Sequence, residues 1–600
     1  MDYMNPGQYY KERLEELKKT LSRLLLKNKS LGWIRLGTLI AYLLGLYILW
    51  SLSIWLIVTV TLVMLFLFTR LILDDIKNKA AIKHLNHLVS INNDELKALD
   101  YNYYHFPNGS AFENKDHYYA NDLDIFGTAS VFQYINRTTS DMGSDILSSW
   151  LLSPTDRDTI LQRQLAVKEL KDHRKWQQEL QAFGTERPIR SSVRKKLEQW
   201  GANVEVFSTF KPWYWLRYLL PAIILSVFTL TVFSILSLNI LYCFLFFYAI
   251  LAYQINKKVA PIHNSLTKIV EELEVLTTSM SLIENNTFNA SLLILMQGQF
   301  KHGNKYTASG QFNKLKKILE RLDLRYNLLI SAPLNLLLLW NLQQVLDLEK
   351  WKSNNKTRLS QWFEALGQFE SLNSLSVLSF NHPEWCFPVL REPFFYIKAS
   401  NVGHPLINKN KRVNNSIEIN EKGELMLITG SNMAGKSTYL RSIGINVILA
   451  MAGSAVCAES FSLSPVQLIT SMRISDNLEE STSTFYAELK KLKIIIDKVN
   501  AGEHVFILLD EILRGTNSLD RHTGSVALIK QLIKHEAAGI IATHDIALAE
   551  LNEDYPANIL NFHFDVQVKG EELYFDYELK PGVCTSLNAS ILMKKIGIEL

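Results

Sequence analysis

The chain is 600 residues long, 48% hydrophobic and 20% charged, with 63 Lys+Arg against 59 Asp+Glu and a formal net charge of +4. That composition excludes an intrinsically disordered chain, which combines low hydrophobicity with high net charge, and at about 150 residues per domain it implies several domains. The near-neutral balance shows no global basic stripe of the kind a dedicated nucleic-acid binder carries, and Cys243, Cys386, Cys457 and Cys584 have no CxxC or metal spacing and suit a reducing compartment.

Residues 1–35 read as an amphipathic helix, with Tyr10, Leu14, Leu17, Leu21, Leu24 and Leu25 at helical spacing among lysines and glutamates. An uncharged block then runs from Leu36 to Thr69 between Arg35 and Arg70, and a second from Tyr218 to Asn256 between Arg217 and Lys257. At 1.5 Å per residue each block is far longer than one ~30 Å hydrocarbon crossing and suits two short helices and a tight turn. The turns are expected at Trp50-Ser51-Leu52-Ser53 and Ser237-Leu238-Asn239. Residues 36–73 and 211–256 are therefore expected to be transmembrane hairpins, four spans in all. Lys27, Lys29, Arg35, Arg70, Lys77 and Lys79 flank the first, and Lys211, Arg217, Lys257 and Lys258 the second. The positive-inside rule then places both termini and all other domains in the cytoplasm, on a multi-pass protein of the inner membrane. Trp33, Trp50, Trp213, Tyr214, Trp215 and Tyr253 suit an interfacial belt.

Residues 74–122 read as a connector, 123–210 as the first part of a helical core, and 257–390, leucine-rich with helical periodicity, as its second part or lever. From 391 to 600 the texture changes to short β-branched runs between turn residues, the pattern of an α/β domain.

That last region carries a nucleotide site. Leu425-Met426-Leu427-Ile428-Thr429 is a buried-strand pattern, followed by Gly430-Ser431-Asn432-Met433-Ala434-Gly435-Lys436-Ser437 and the helical Thr438-Tyr439-Leu440-Arg441. This is GxxxxGK[ST] in a strand–loop–helix setting: the glycines let backbone N–H groups curl around phosphates, Lys436 neutralises them and Ser437 ligates Mg²⁺. A second apolar run, Val505 to Leu509, ends in Asp510, placed to hold Mg²⁺, and Glu511, placed to polarise the attacking water. A third, Gly539 to Thr543, ends in His544, which can sense the γ-phosphate or position the water. ATP and Mg²⁺ are the expected cofactors.

These residues closely resemble the MutS mismatch-repair ATPase family. Thr429 to Thr438 is similar to its TGPNMAGKST, and Asp510-Glu511-Ile512-Leu513-Arg514-Gly515-Thr516 resembles its DE-x-x-RGT segment. Ser483-Thr484-Phe485 with Glu488-Leu489 resembles its STF-x-x-E-[LM] signature. His404-Pro405, Val413-x-Asn415, Tyr577 to Gly582 and Lys595 to Ile598 resemble its domain entry, closing strand and C-terminal helix. Leu123 to Phe126, Asn136 to Gly143, Trp150-Leu151, Pro154 and Arg163 to Val167 look like the start of its helical core, and Trp362 with Ser371 to Leu375 like the return. The resemblance implies a multidomain α and α/β protein: a helical MutS-type core and lever carrying two transmembrane hairpins, plus a C-terminal P-loop (ABC-type) α/β ATPase domain. It also implies a homodimer in which each signature segment, Ser483 included, reaches the partner's γ-phosphate, and Mg-dependent ATP hydrolysis, which the departure of the signature segment given next is expected to make slow.

Three features depart from the family pattern. The signature reads Glu480-Ser481-Thr482-Ser483-Thr484-Phe485, where SGxSTF is more usual. Arg412 stands where an adenine-stacking aromatic is usual, and a guanidinium can stack on a base. No Phe-x-Glu mismatch reader precedes the core. The expected function is an ATP-driven dimeric clamp or switch at the membrane, with a DNA repair-related role and DNA or a protein partner as cargo; the alternatives are a nucleotide-dependent scaffold or an ABC-type transporter. Lys301, Lys305, Lys314, Lys316 and Lys317 form a modest basic stretch, and a solvated helix face is its simpler reading.

Overall fold

A computed structural model of the protein describes residues 5–50, 54–302, 306–392, 394–431, 434–473, 484–569 and 572–584. Helices α1 (Pro6–Leu49) and α2 (Ile54–Leu99), of 44 and 46 residues, pair along their length. Asn5 opens α1 by accepting from the Gly7 N–H, and Pro6 sits in the first turn, where a missing N–H costs nothing. Each helix is about 65–70 Å long, more than twice a hydrocarbon core. Both run unbroken across the boundaries drawn at 35/36 and 73/74: the switch from polar to apolar sequence changes what the helix faces, not its backbone hydrogen bonding. At the switch Arg35 reaches Asp75 across the pair at 3.2 Å, and Lys79 meets the same carboxylate at 2.9 Å. The turn expected at Ser51-Leu52-Ser53 lies outside the described residues.

The polar halves dock on a helical core. Tyr10, Leu14 and Leu17 are buried, and Leu17, Leu88, Ile91 and Ala182 form one apolar cluster that joins α1 and α2 to a helix of that core. That core comprises α3 (Asp141–Leu152), α4 (Arg157–Asp172), α5 (Arg174–Glu186) and, much later in the chain, a 23-residue return helix (Leu359–Asn381). Glu370 on the return helix explains the polar run that opens α3: its carboxylate accepts from the Ser140 N–H and hydroxyl at 3.0 and 2.7 Å and from the Thr139 hydroxyl at 2.9 Å. A buried ionic cluster lies nearby. The Arg137 guanidinium holds Glu95 at 2.5 Å, Asn381 donates to the same carboxylate at 2.8 Å, and Tyr10 donates to Asn381 at 2.7 Å.

The second hairpin is α6 (Trp213–Val232) and α7 (Leu238–Leu266). Its turn spans residues 233–237 rather than 237–239, because Ser237 takes the extended N-cap conformation and Leu238-Asn239 become the first helical residues. Helices α8 (Val270–Glu284), α9 (Ala308–Asp323), α10 (Leu328–Leu338) and α11 (Trp340–Asn355) lead to the return helix, now α12. In the basic stretch Lys316 meets Glu274 and Glu320 at 3.3 and 3.7 Å, Lys314 and Lys317 face solvent, and Lys305 lies outside the described residues. Among the described residues four helices (α1, α2, α6 and α7) are each long and apolar enough to cross a membrane, and their most apolar windows are at most 17% buried within the protein.

The C-terminal part contains a small four-stranded sheet and a six-stranded one. The latter is built from β1 (Leu425–Thr429), β2 (Gln467–Ser471), β3 (Val505–Asp510), β4 (Ala538–Thr543), β5 (Ile559–Lys569) and β6 (Glu572–Pro581), in the order β6-β5-β1-β4-β3-β2. The first five are mutually parallel and β6 is antiparallel to β5. Strands β1, β3 and β4 are buried at every position, as parallel strands covered on both faces must be. Register places Thr429 opposite Thr543 and Ala542 opposite Asp510, so all three strands end along one edge. Helix α13 (Lys436–Ala452) crosses the sheet and meets the core, where Leu123 approaches Gly444 so closely that a Cβ there would stand 2.9 Å from it.

Candidate functional site

Ligands of open parallel sheets sit beyond the carboxyl ends of the strands, and that edge gathers the charged residues here. After Thr429 the chain turns through Gly430 (φ +150°) and Gly435 (φ +107°) before α13 starts at Lys436. A Cβ on Gly430 would stand 2.8 Å from the Phe564 carbonyl, and one on Gly435 3.1 Å from the Tyr577 ring, so side chains are excluded by space as well as by φ. Asn432 and Met433 lie outside the described residues; Ser431 and Ala434 flank them, and Thr438 is in the first turn of α13. The buried Lys436 ammonium donates to the loop's own carbonyls, Gly430 O at 2.6 Å and Ser431 O at 3.0 Å. Burial lowers its pKa, while Glu511 and Asp510 pull it back up.

Ser437 Oγ donates to Asp510 Oδ2 at 2.5 Å. Asp510 is buried, its pKa is raised by that burial, and its Oδ1 has no hydrogen-bond partner, with Arg514 Nη2 3.9 Å away. A hydroxyl and a carboxylate oxygen together, the latter incompletely satisfied, form the hard-oxygen donor set that suits Mg²⁺. Glu511 follows at φ +54°, an uncommon conformation for a non-glycine residue, and its N–H donates to Ala542 O at 2.8 Å across the sheet edge. Its carboxylate meets Arg514 Nε at 2.9 Å and lies 3.7 Å from His544 Nδ1. Lys436, Ser437, Asp510, Glu511 and His544 are thus brought together.

A cavity of about 360 Å³ opens beside them, within the range of small-molecule sites. It is bounded by the loop and first turn of α13 on one side and by His404, Arg412, Phe564 and Tyr577 on the other. Arg412 donates from Nε to Asn414 Oδ1 at 3.0 Å and crosses close to Gly403. His404 is half-buried; desolvation, helped by Arg441, pushes its pKa down to about 4, so it is a neutral wall residue that accepts from the Leu406 N–H at 3.2 Å. Tyr577 brings an aromatic ring to the cavity from β6, a role the sequence reading did not assign to it; the alternation of aromatics in Tyr574-Phe575-Asp576-Tyr577 was the available signal.

Ser483 and residues 474–482 of the signature segment lie outside the described residues, but both flanks are informative. On α14 (Thr484–Asn500), Glu488 Oε1 accepts from the Leu513 N–H at 2.5 Å, and Gly515 packs so close to Phe485 that an added Cβ would stand 2.6 Å from the Phe485 Cβ. Gly515→Ala is therefore expected to displace the loop that follows Glu511 and to lower turnover more than nucleotide affinity, read from kcat against a nucleotide titration. The other tie is Asp122, buried at the start of the core. Its carboxylate accepts from Thr470 Oγ1 at 2.7 Å, from the Met472 and Arg473 N–H groups at 3.2 Å, and from Lys491 Nζ at 3.3 Å. One core side chain thus anchors the chain on both sides of the signature segment. Asp122→Ala leaves the buried Met472 N–H without this acceptor and breaks the ties to Thr470, Arg473 and Lys491, and is expected to cost about 1–3 kcal/mol, measured by denaturant unfolding.

Comparison with known proteins bears on the same stretches. The family model for MutS domain III matches residues 113–205 and that for MutS domain V matches residues 426–594. The chain is similar to MutS protein homolog 4 of Homo sapiens, 34% identical over 233 residues, covering 37% of this chain and 24% of that protein. It is 35% identical over 224 residues to MutS protein homolog 4 of Mus musculus, covering 35% and 23%. It is 33% identical over 197 residues to the DNA mismatch repair protein MSH4 of Arabidopsis thaliana, covering 32% and 24%. The matched part is about a quarter of the length of each relative. A helical core that anchors the signature flanks through Asp122, and a sheet edge that gathers Lys436, Ser437, Asp510 and Glu511, fall inside the two segments of the chain that match MutS domains III and V.

Proposed function

We propose that this protein is a membrane-anchored MutS-related ATPase whose nucleotide cycle drives a dimeric clamp or switch, with a role in DNA repair or recombination. The single observation that carries the catalytic part is the convergence of Lys436, Ser437, Asp510 and Glu511 at one edge of the parallel sheet. Lys436 is within reach of the β- and γ-phosphates once its head turns from the loop carbonyls to a stronger, anionic acceptor. Ser437 and Asp510 would hold Mg²⁺, which when bound neutralises phosphate charge. Glu511 orients and deprotonates the attacking water, with His544 beside it. The Arg514–Glu511 ion pair holds the base away from water until the site closes around ATP. Tyr577 and Arg412 flank the base; Tyr577→Ala is expected to weaken ATP binding by about 1–3 kcal/mol, the worth of one base–aromatic stack, read by equilibrium titration.

Closure is assigned to a second copy of the chain, whose signature segment, Ser483 included, completes the γ-phosphate site. The membrane part of the proposal rests on length and exposure: Trp33, Tyr47, Trp50, Trp55 and Phe66 all project from α1 and α2 with most of their surface uncovered. With hairpins at 36–73 and 211–256, the helical core and the ATPase domain at 391–600 share the cytoplasmic side of the inner membrane. DNA is the proposed cargo, gripped without mismatch reading. The test is ATP hydrolysis by the detergent-purified full chain, with and without DNA, over a salt series. DNA stimulation that falls with rising salt supports the clamp, since phosphate contacts release counterions. Hydrolysis with neither DNA stimulation nor salt-dependent DNA binding shifts the cargo to a protein.

A further inference from the structure

Helix α10 has no role in the nucleotide site, yet its sequence, Leu328-Leu329-Ile330-Ser331-Ala332-Pro333-Leu334-Asn335-Leu336-Leu337-Leu338, contains no charge. Its 11 residues reach about 16 Å, half of a hydrocarbon crossing, so it cannot span. It ends at Leu339, in the left-handed region at φ +47°, and the chain bends by 78° into α11. One face is covered: Ser331 is buried, and Leu336 and Leu337 pack on the core. The other is bare, with Leu329 88% and Ile330 41% exposed and Ala332 and Pro333 beside them.

What lies next to that face follows from how the two ends of α10 are pinned. Before it, Asp323 meets His263 Nε2 at 2.9 Å and Tyr326 donates to Asn264 at 3.2 Å. After it, Asn341 donates to Asn256 at 3.2 Å and Asp347 pairs with Arg217 at 2.9 Å. Arg217 on α6 and Asn256 on α7 stand where the uncharged run Tyr218–Asn256 gives way to charge, at the foot of the second hairpin, and His263 and Asn264 lie about two turns farther along α7. Lys257 and Lys258 follow Asn256 on α7, Arg325 Nη1 lies 3.4 Å from His263 Nδ1, and the Trp340 indole donates to Arg321 O at 3.0 Å. An apolar face at that level, rimmed by cations and an aromatic, has the layout of a helix lying in a membrane interface.

We propose that α10 lies in the headgroup–acyl boundary of the bilayer, on the side that carries the ATPase domain, as a lipid-seated foot that supports the α9–α11 lever. This rests on the reading of α6–α7 as a membrane hairpin. It means that the lever meets lipid at two places, the hairpin and its foot, so lever movement is referred to the membrane surface.

The test uses the full chain in phosphatidylcholine nanodiscs and keeps the two readings apart with the native thiol of Cys243, which is exposed on α7. Three single-thiol proteins are compared: Cys243 alone, and Leu329→Cys or Lys314→Cys with the four native cysteines replaced. Lys314 is solvent-facing on α9. The expected result is that a membrane-impermeant maleimide modifies the Leu329→Cys thiol at least about tenfold more slowly than the Lys314→Cys thiol. A bimane at Leu329→Cys should also be quenched more by a doxyl group near the lipid headgroup than by one near the chain end. Equal modification rates with Cys243 protected overturn the placement of α10 and leave the hairpin standing. Free modification of Cys243 as well overturns the hairpin. Protection without lipid quenching assigns the face to protein, a second copy included, and overturns the proposal. Ile330→Cys repeats the measurement should Leu329→Cys fail to fold.

Discussion

Glu511→Gln is expected to lower ATP turnover by about 10²–10⁴-fold, the usual worth of a positioned general base, while nucleotide binding survives. The substitution keeps the shape and the acceptor oxygen that faces Arg514 at 2.9 Å, so the loop from Asp510 to Gly515 has little reason to move. What it removes is the ability to take a proton. Lys436 and Ser437, which meet the nucleotide, are untouched. Steady-state phosphate release and equilibrium ATP titration on the same sample separate the two effects. Equal, measurable turnover in both proteins would assign the base elsewhere, and equal, negligible turnover would make the protein a nucleotide-dependent scaffold.

Arg137→Ala is expected to be the most destabilising single change in the core, about 3–5 kcal/mol, because it strands the fully buried Glu95 carboxylate without its cation. Glu95 also holds Asn381, which holds Tyr10, so the loss propagates to the docking of α1 on the end of α12. Replacing Arg137 and Glu95 together by apolar residues of similar volume should cost much less, since no charge is then left unpaired. The pH dependence has a definite sign. Burial alone would raise the Glu95 pKa, but Arg137, with help from Arg174 and Asn381, outweighs it and holds the folded-state value below the ordinary 4.5. The contribution is therefore fully present above pH 4.5 and is lost as pH falls through the lower folded-state value. Thermal unfolding in detergent between neutral and acidic pH checks both sign and size: the Arg137→Ala protein should lack this acid-side decline and be weaker throughout.

The nucleotide loop was legible because its chemistry is local. Two glycines, a lysine and a serine within eight residues carry the turn, the charge and the ligand, and the strand before them is apolar at every position because parallel strands are covered on both faces. Asp510 and His544 were legible for a similar reason: Asp510 is the first polar residue of the apolar strand it ends, and His544 directly follows Thr543 at the end of another. The continuity of α1 and α2 across 35/36 and 73/74 was not legible, because composition reports the medium around a helix and not where its hydrogen bonds stop. The hairpin turn at 233–237 was misplaced by one cap, since Ser237 could have been read as turn or as N-cap.

The sequence by itself determined the resemblance to the MutS family, the strand–loop–helix order and the two long uncharged runs, because each depends on residues close together in the chain. Only the tertiary structure decided that Asp122 ties both flanks of the signature segment to the core, across some 350 residues of chain. The same holds for Tyr577 reaching the cavity, for Glu95 and Arg137 closing the joint between α1 and α12, and for α10 being bare on one face at the foot of a hairpin. The physical reason is common to all four. A carboxylate, an aromatic ring or an apolar helix acquires its role from the partner or medium that burial and packing bring to it, and periodicity and motif spacing hold no record of that neighbour.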